Sequence, residues 1–140
     1  MNREPIYAAL FDLLGVAPGL VTTSRKLRHW SDVEASAMPA LYVAQGQQIA
    51  MVQTGQPTRW ELGATLWIYV STADVDSPGA VLNPIVDAVT AMLANNPGSG
   101  PQRLGGLVHY ARIEGTIETS EGTLGDIEVV RIPVKMLAPD

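Results

Sequence analysis

Cysteine is absent from the 140 residues, which excludes disulfide scaffolds, thiolate zinc sites and thiol nucleophiles. Charge is scarce: Asp, Glu, Lys and Arg together make up 16%, against the roughly 25% of an average soluble domain. Part of the surface that a monomer would cover with Lys and Glu is therefore covered by something else, and self-association is the expectation. Positive charge is the scarcer sign, with 9 basic against 14 acidic residues and a net charge of −5. Such a chain lacks the basic face of an autonomous duplex binder. Long apolar runs are missing as well. The N-terminal stretch MNREPIYAALFDLLGVAPG carries Glu4 and Asp12 and reads as neither a signal peptide nor a membrane span. A soluble protein made in a cytoplasm, with no membrane partner, is expected.

Apolar residues supply 46% of the chain, ample to build a core and incompatible with a solvated linker. The length fits one domain, residues 1–140, without room for a second core. Ile6, Leu10, Leu13 and Leu14 recur at helical spacing and predict a helix over Arg3–Leu14, capped by Asn2 and ended by Gly15 at C′. Val21–Val33 is polar and basic, and reads as an extended arm or edge strand. Leu41–Ala44 and Ile49–Val52 flank the tetrapeptide QGQQ, which predicts a β-hairpin.

Strict alternation marks a strand over Arg59–Ser71. Trp60, Leu62, Ala64, Leu66, Ile68 and Val70 share one face. The other face carries Trp67 and Tyr69, which asks for a covering helix or a second subunit. A second helix begins at Asn83-Pro84, or a turn earlier near Pro78 with Pro84 inside it, and stops at Asn95-Asn96-Pro97-Gly98. Leu107–Thr119 and Gly125–Leu137 predict a long C-terminal β-hairpin around the tip SEGTLG. In its last strand the apolar phase slips between Val129 and Val130, as a β-bulge would cause, and Pro133 favours an edge or bulged position. The fold class is α+β: a largely antiparallel or mixed sheet with two helices packed on it, and an extended basic arm.

No residue set for catalysis is evident, so the chain is expected not to be an enzyme and to carry neither cofactor nor metal. His29 and His109 are far apart, and His109 reads as a packed or edge histidine within the Leu107–Thr119 strand pattern. Asp74 and Asp76 sit in a polar turn and, without further oxygen ligands, make a poor cation site. The glycines of PGSGPQRLGG lack a phosphate loop's Lys-Ser/Thr ending. The local feature above background is SRKLRHW, which gathers Arg25, Lys26, Arg28, His29 and Trp30. Three readings are open. The arm pairs with the acidic hairpin of its own chain; it makes an inter-subunit contact anchored by Trp30; or it lies beside a DNA backbone.

Taken together, the segments REPIYAALFDLL, TTSRKLRHWSDV, MPALYV, TRWELGATLWIYVST, LNPIVDAV and RLGGLVHYARIEGTIETSEGTLGDIEVVRIPVKMLAP resemble the tail terminator (tail completion) proteins of long-tailed bacteriophages and prophages, the lambda minor tail protein U-like family. SRKLRHWSDV and IEGTIETSEGTLGD are the most specific pieces. The resemblance implies a structural virion protein of the tail–neck junction, assembled in the host cytoplasm. Such proteins form a ring, six-membered in the family, on the head-proximal end of the tail tube. The ring stops tube polymerisation and presents the surface for head joining. Its partners would be copies of itself, the tail tube protein and a head–tail connector or head-completion protein, with DNA crossing the channel without sequence-specific binding. Arg25, Lys26, Arg28, His29, Trp30, Trp67 and Tyr69 become candidates for the subunit interface or channel rim. Glu118, Glu121 and Asp126 become candidates for a docking face. The rival readings are another neck or head-completion connector and, further off, a small ligand- or nucleic-acid-binding module.

Overall fold

Buried Ile6, Tyr7, Leu10 and Leu14 form the inward stripe of helix α1, Arg3–Leu14, in a computed structural model that describes residues 1–94, 98–121 and 124–139. Neither predicted end works as expected. Asn2 is extended but makes no side-chain capping bond, and Gly15 is right-handed at φ −66°, its N–H closing on the Phe11 carbonyl. Helix α2, Gly79–Met92, takes the earlier of the two predicted starts and contains Pro84. It ends at Met92, ahead of the predicted stop at 95–98, of which residues 95–97 lie outside the described residues, as does the centre of the hairpin tip.

Six strands follow in the order β1 (Thr22–Ser24), β2 (Ala40–Met51), β3 (Arg59–Ser71), β4 (Tyr110–Ile113), β5 (Glu118–Thr119) and β6 (Ile127–Pro139). They form one open sheet, β1-β2-β3-β6-β4, with β5 also paired to β6. β1 runs parallel to β2 and the other pairs are antiparallel. The fold is therefore α+β with a mixed sheet. Leu62, Leu66, Ile68 and Val70 of β3 join Val130, Ile132, Val134 and Met136 of β6 under the two helices. On the opposite face a smaller cluster gathers Val33, Met38, Ala40, Tyr42, Tyr69 and Val129.

QGQQ is a bulge rather than a hairpin turn. β2 is one continuous strand against β3, and its register shifts between Gln45 and Gln48, so that Gly46 and Gln47 oppose Gly63. The two apolar runs pair with the same partner instead of with each other. The extra residue also moves the outward face from even positions (Ala40, Tyr42, Ala44) to odd ones (Ile49, Met51). A β-carbon on Gly63 would lie 2.8 Å from the Gln47 carbonyl oxygen, so the bulge needs a glycine opposite it. α1 is fastened here too: the Tyr7 hydroxyl donates to the Gly63 carbonyl at 2.9 Å and Arg3 Nε donates to Gln48 Oε1 at 2.6 Å.

The C-terminal hairpin is present with three corrections. Leu107 belongs to a turn, and the first arm is split into β4 and β5. Of the two readings of His109 the edge one holds: it is exposed just before the edge strand β4, its N–H donating to the Leu137 carbonyl at 2.7 Å. β6 carries no bulge against β3, since its register is unbroken from Ser71↔Ile127 to Arg59↔Pro139. The change of apolar phase has another cause: at this end both faces are covered, Val130 and Ile132 by the helices and Ile127 and Val129 by the smaller cluster. Pro133 stands in an interior strand because the break between β4 and β5 leaves its nitrogen unopposed. Its carbonyl points the same way and accepts the Glu114 N–H at 3.2 Å.

Candidate functional site

The face of the sheet away from the helices carries most of the residues singled out from sequence. At one end the chain covers this face itself. After β1 the arm leaves the sheet edge, and two short 3₁₀ turns, Trp30–Asp32 and Ala35–Ala37, lay Trp30, Val33 and Met38 across Ala40, Tyr42, Tyr69 and Val129. Neither a helix nor a second subunit is needed above Tyr69, which is 2% exposed. Its hydroxyl donates to the Arg28 carbonyl at 2.6 Å, and its ring lies 5.3 Å from that of Tyr42. Burial, then the neighbouring Tyr42, push its pKa up to about 12. Tyr69 is thus an anchor for the arm rather than an exposed interface residue.

The arm's charges are used unequally. Arg25 pairs with Glu4 at the start of α1, not with the acidic hairpin of its own chain. The Arg28 guanidinium donates to the Asp32 carbonyl at 2.6 Å. His29 Nδ1 accepts the Ser31 N–H at 3.2 Å, and its ring lies 5.0 Å from the half-buried Trp30. Lys26 is exposed, and among the described residues no ion pair involves it.

Beyond Trp67 the sheet face is open and its charges neutralise one another. Lys135 Nζ lies 2.9 Å from Glu61 and 3.3 Å from Glu114, and Arg112 reaches Glu114 at 2.9 Å. Arg112 and then Lys135 hold the Glu114 carboxyl below its ordinary range, while Glu61 foremost raises Lys135. Arg131 pairs with Glu118 and sits 5.6 Å over the ring of half-buried Trp67. Of this network, sequence reading had singled out Trp67 and Glu118. Cross-strand neighbours such as Arg112↔Lys135 and Glu118↔Arg131 become visible once the register is known. At the far end of the sheet, Met51, Arg59, His109 and Pro139 help line a cleft of about 550 Å³.

The remaining acids collect at one corner. The Thr72 N–H donates to the Asp126 carbonyl at 2.7 Å, joining the β3–α2 link, with exposed Asp74 and Asp76, to the base of the C-terminal hairpin. Glu121 packs against the first residue of α2, its Oε2 lying 2.6 Å from where a Gly79 β-carbon would stand. Glu128, which sequence reading passed over because it falls in an apolar run, is 1% exposed. Its Oε2 has no hydrogen-bond partner, and burial, then the charge of Glu121, raise its pKa. Among the described residues no three His, Asp or Glu side chains converge as a metal-binding group.

No family model and no curated protein matches the chain. Solved structures do. A chain of the virion of a native gene transfer agent particle superposes with a TM-score of 0.59 at 10% identity, over 96% of this chain and 95% of that one. A second structure, without a functional description, matches with a TM-score of 0.51 at 15% identity, over 100% of this chain and 96% of that one. The likeness is one of fold. It spans both chains almost end to end, so sheet, helices and arm are compared as one unit.

Proposed function

We propose that this chain is a structural protein of a phage-like virion and that it acts as a tail terminator, closing into a ring on the head-proximal end of the tail tube. The observation that carries this reading is the near-full-length fold likeness to a chain of a gene transfer agent virion, which agrees in kind with the sequence resemblance. Two features of the chain support it. Its charge content is low, as expected where surface is covered by other copies. Its open sheet face carries ion pairs that cancel, so duplex DNA could pass such a surface without being held. The role is binding rather than catalysis, with no cofactor in the mechanism. A repeated head-to-tail contact closes the ring, one ring face accepts the tube and the other serves head joining.

Negative-stain electron microscopy of concentrated protein, alone and with isolated tail tubes, tests this. Closed rings with a pore wide enough for duplex DNA, or caps on tube ends, are the expected result. Rings that bind the head portal but not tubes would instead identify a head-completion connector. Protein that stays monomeric and leaves tubes uncapped refutes the proposal. For the interface, Lys26→Glu is the cleaner reversal, because Arg25 and Arg28 already hold intrachain partners.

A further inference from the structure

Among the exposed charges without an ion pair in the described residues, which include Arg59 and Arg103, two groups of opposite sign each stand beside exposed apolar residues, and they stand apart. On the β1 side, exposed Lys26 is followed by Leu27, 42% exposed, and Val21 at the other end of β1 is 61% exposed. On the other side lies the acidic corner of Asp74, Asp76, Glu121 and Asp126, where Val75 is 37% exposed. No Lys or Arg among the described residues pairs with these four carboxylates. Beneath them Glu128 is buried with Oε2 unpartnered. The first N–H groups of α2 cannot serve this corner, since those of Ala80, Val81 and Leu82 are taken by the Ser77 and Pro78 carbonyls. The corner is therefore short of a positive donor, and the arm holds a free one.

β1 and β6 are three strand spacings apart, about 14 Å, so Lys26 and Asp126 do not meet in one chain. We infer that they meet between chains: the Lys26–Leu27 edge of one copy seats on the acidic corner of the next, Leu27 against Val75 and the Lys26 ammonium among the carboxylates. The two patches differ, so the contact is head-to-tail rather than two-fold and leaves each copy one free patch of each kind for the next partner. This deepens the ring reading and rests on it for closure, whereas the contact itself needs two copies and no tube.

The absence of cysteine makes the test direct. In a Lys26→Cys/Asp126→Cys variant the introduced thiols are the only ones. The spacing between β1 and β6, about 14 Å, exceeds the roughly 7 Å between Cα atoms that a disulfide tolerates, and any crosslink within one chain would run as monomer rather than as a ladder. Mild oxidation is expected to give a reducible ladder of dimers, trimers and higher species, absent from either single variant. In parallel, Lys26→Glu should weaken association by at least about tenfold, and Lys26→Glu/Asp126→Lys should recover only part of it, because Asp74, Asp76 and Glu121 still face the introduced glutamate. A ladder with neither rings nor capped tubes keeps the contact and refutes the ring. Rings without a ladder, or dimers from Lys26→Cys alone, refute the contact and leave the ring. Neither ladder nor rings refutes both. A Lys26→Glu variant that still forms rings but loses salt-dependent retention of duplex DNA assigns the lysine to DNA and overturns the inference.

Discussion

The arm's position depends on one buried hydroxyl, which makes Tyr69→Phe the most informative single change. Tyr69 is 2% exposed and its O–H donates to the Arg28 carbonyl at 2.6 Å. The substitution keeps the ring, its packing on Tyr42 and nearly all the apolar burial, so it removes little beyond the hydrogen bond. Arg28 is exposed, so water can reach the released carbonyl and the cost stays near the net value of one bond, about 1 kcal/mol. For a two-state domain of this size that lowers Tm by about 3–4 °C if the arm unfolds with the rest. If the arm opens on its own, the same energy raises its detached fraction about fivefold. Trypsin separates the cases, because Arg25, Lys26 and Arg28 all lie in the arm. Cleavage there, followed by mass spectrometry at low protease, should accelerate about fivefold with β3 and β6 peptides unchanged. Unaltered arm cleavage together with an unaltered Tm would refute the claim that Tyr69 fastens the arm.

Tyr69 ionises near pH 12 when folded, against about 10 when unfolded; because the folded value is raised, its contribution is intact below pH 10 and falls by about 2–3 kcal/mol as pH rises to 12. Urea titrations in that window should show a steeper alkaline loss for wild type than for Tyr69→Phe, and parallel curves would contradict the burial. Gly63→Ala places a methyl group 2.8 Å from the Gln47 carbonyl and should cost about 1–3 kcal/mol, whereas a turn at QGQQ would make it nearly neutral; the urea midpoint decides. Ile132→Pro removes a ladder donor from an interior strand and should cost about 3 kcal/mol or more, while Pro133→Ala, at the break between β4 and β5, should change stability by less than about 1 kcal/mol.

α1 and β3 were legible from sequence because each repeats one period without interruption: Ile6, Leu10 and Leu14 on one helix face, and Leu62 to Val70 in alternation. Where the reading failed, the deciding fact was a partner distant in sequence. QGQQ has the composition of a turn, and what makes it a bulge is Gly63 on the neighbouring strand. The phase change at Val129–Val130 looks like a slipped register, yet its cause is Val33 and Met38 lying across the back of β6. Those two apolar residues, isolated in a polar arm, were the available signal that the arm folds back on its own sheet. The arm was legible as a charged feature, but not which charges remain free. That depends on Glu4 facing Arg25 across α1 and on the Asp32 carbonyl turning toward Arg28.

Anchorage and association are separable consequences of this arrangement. If Lys26 makes the proposed contact, apparent affinity scales with the fraction of molecules whose arm is docked. Trp30, Val33 and Met38 pack the arm onto the sheet independently of the Tyr69 bond, so docked molecules remain the large majority in Tyr69→Phe. A fivefold rise in a minor population then barely changes affinity. Tyr69→Phe should therefore quicken proteolysis of the arm while association stays near wild type. Lys26→Glu should do the reverse, leaving proteolysis at Arg25 and Arg28 unchanged and weakening association. If Tyr69→Phe abolished association while detaching only a few per cent of arms, the contact would have to use the Tyr69 end of the sheet itself, with the arm displaced on assembly rather than presented by it.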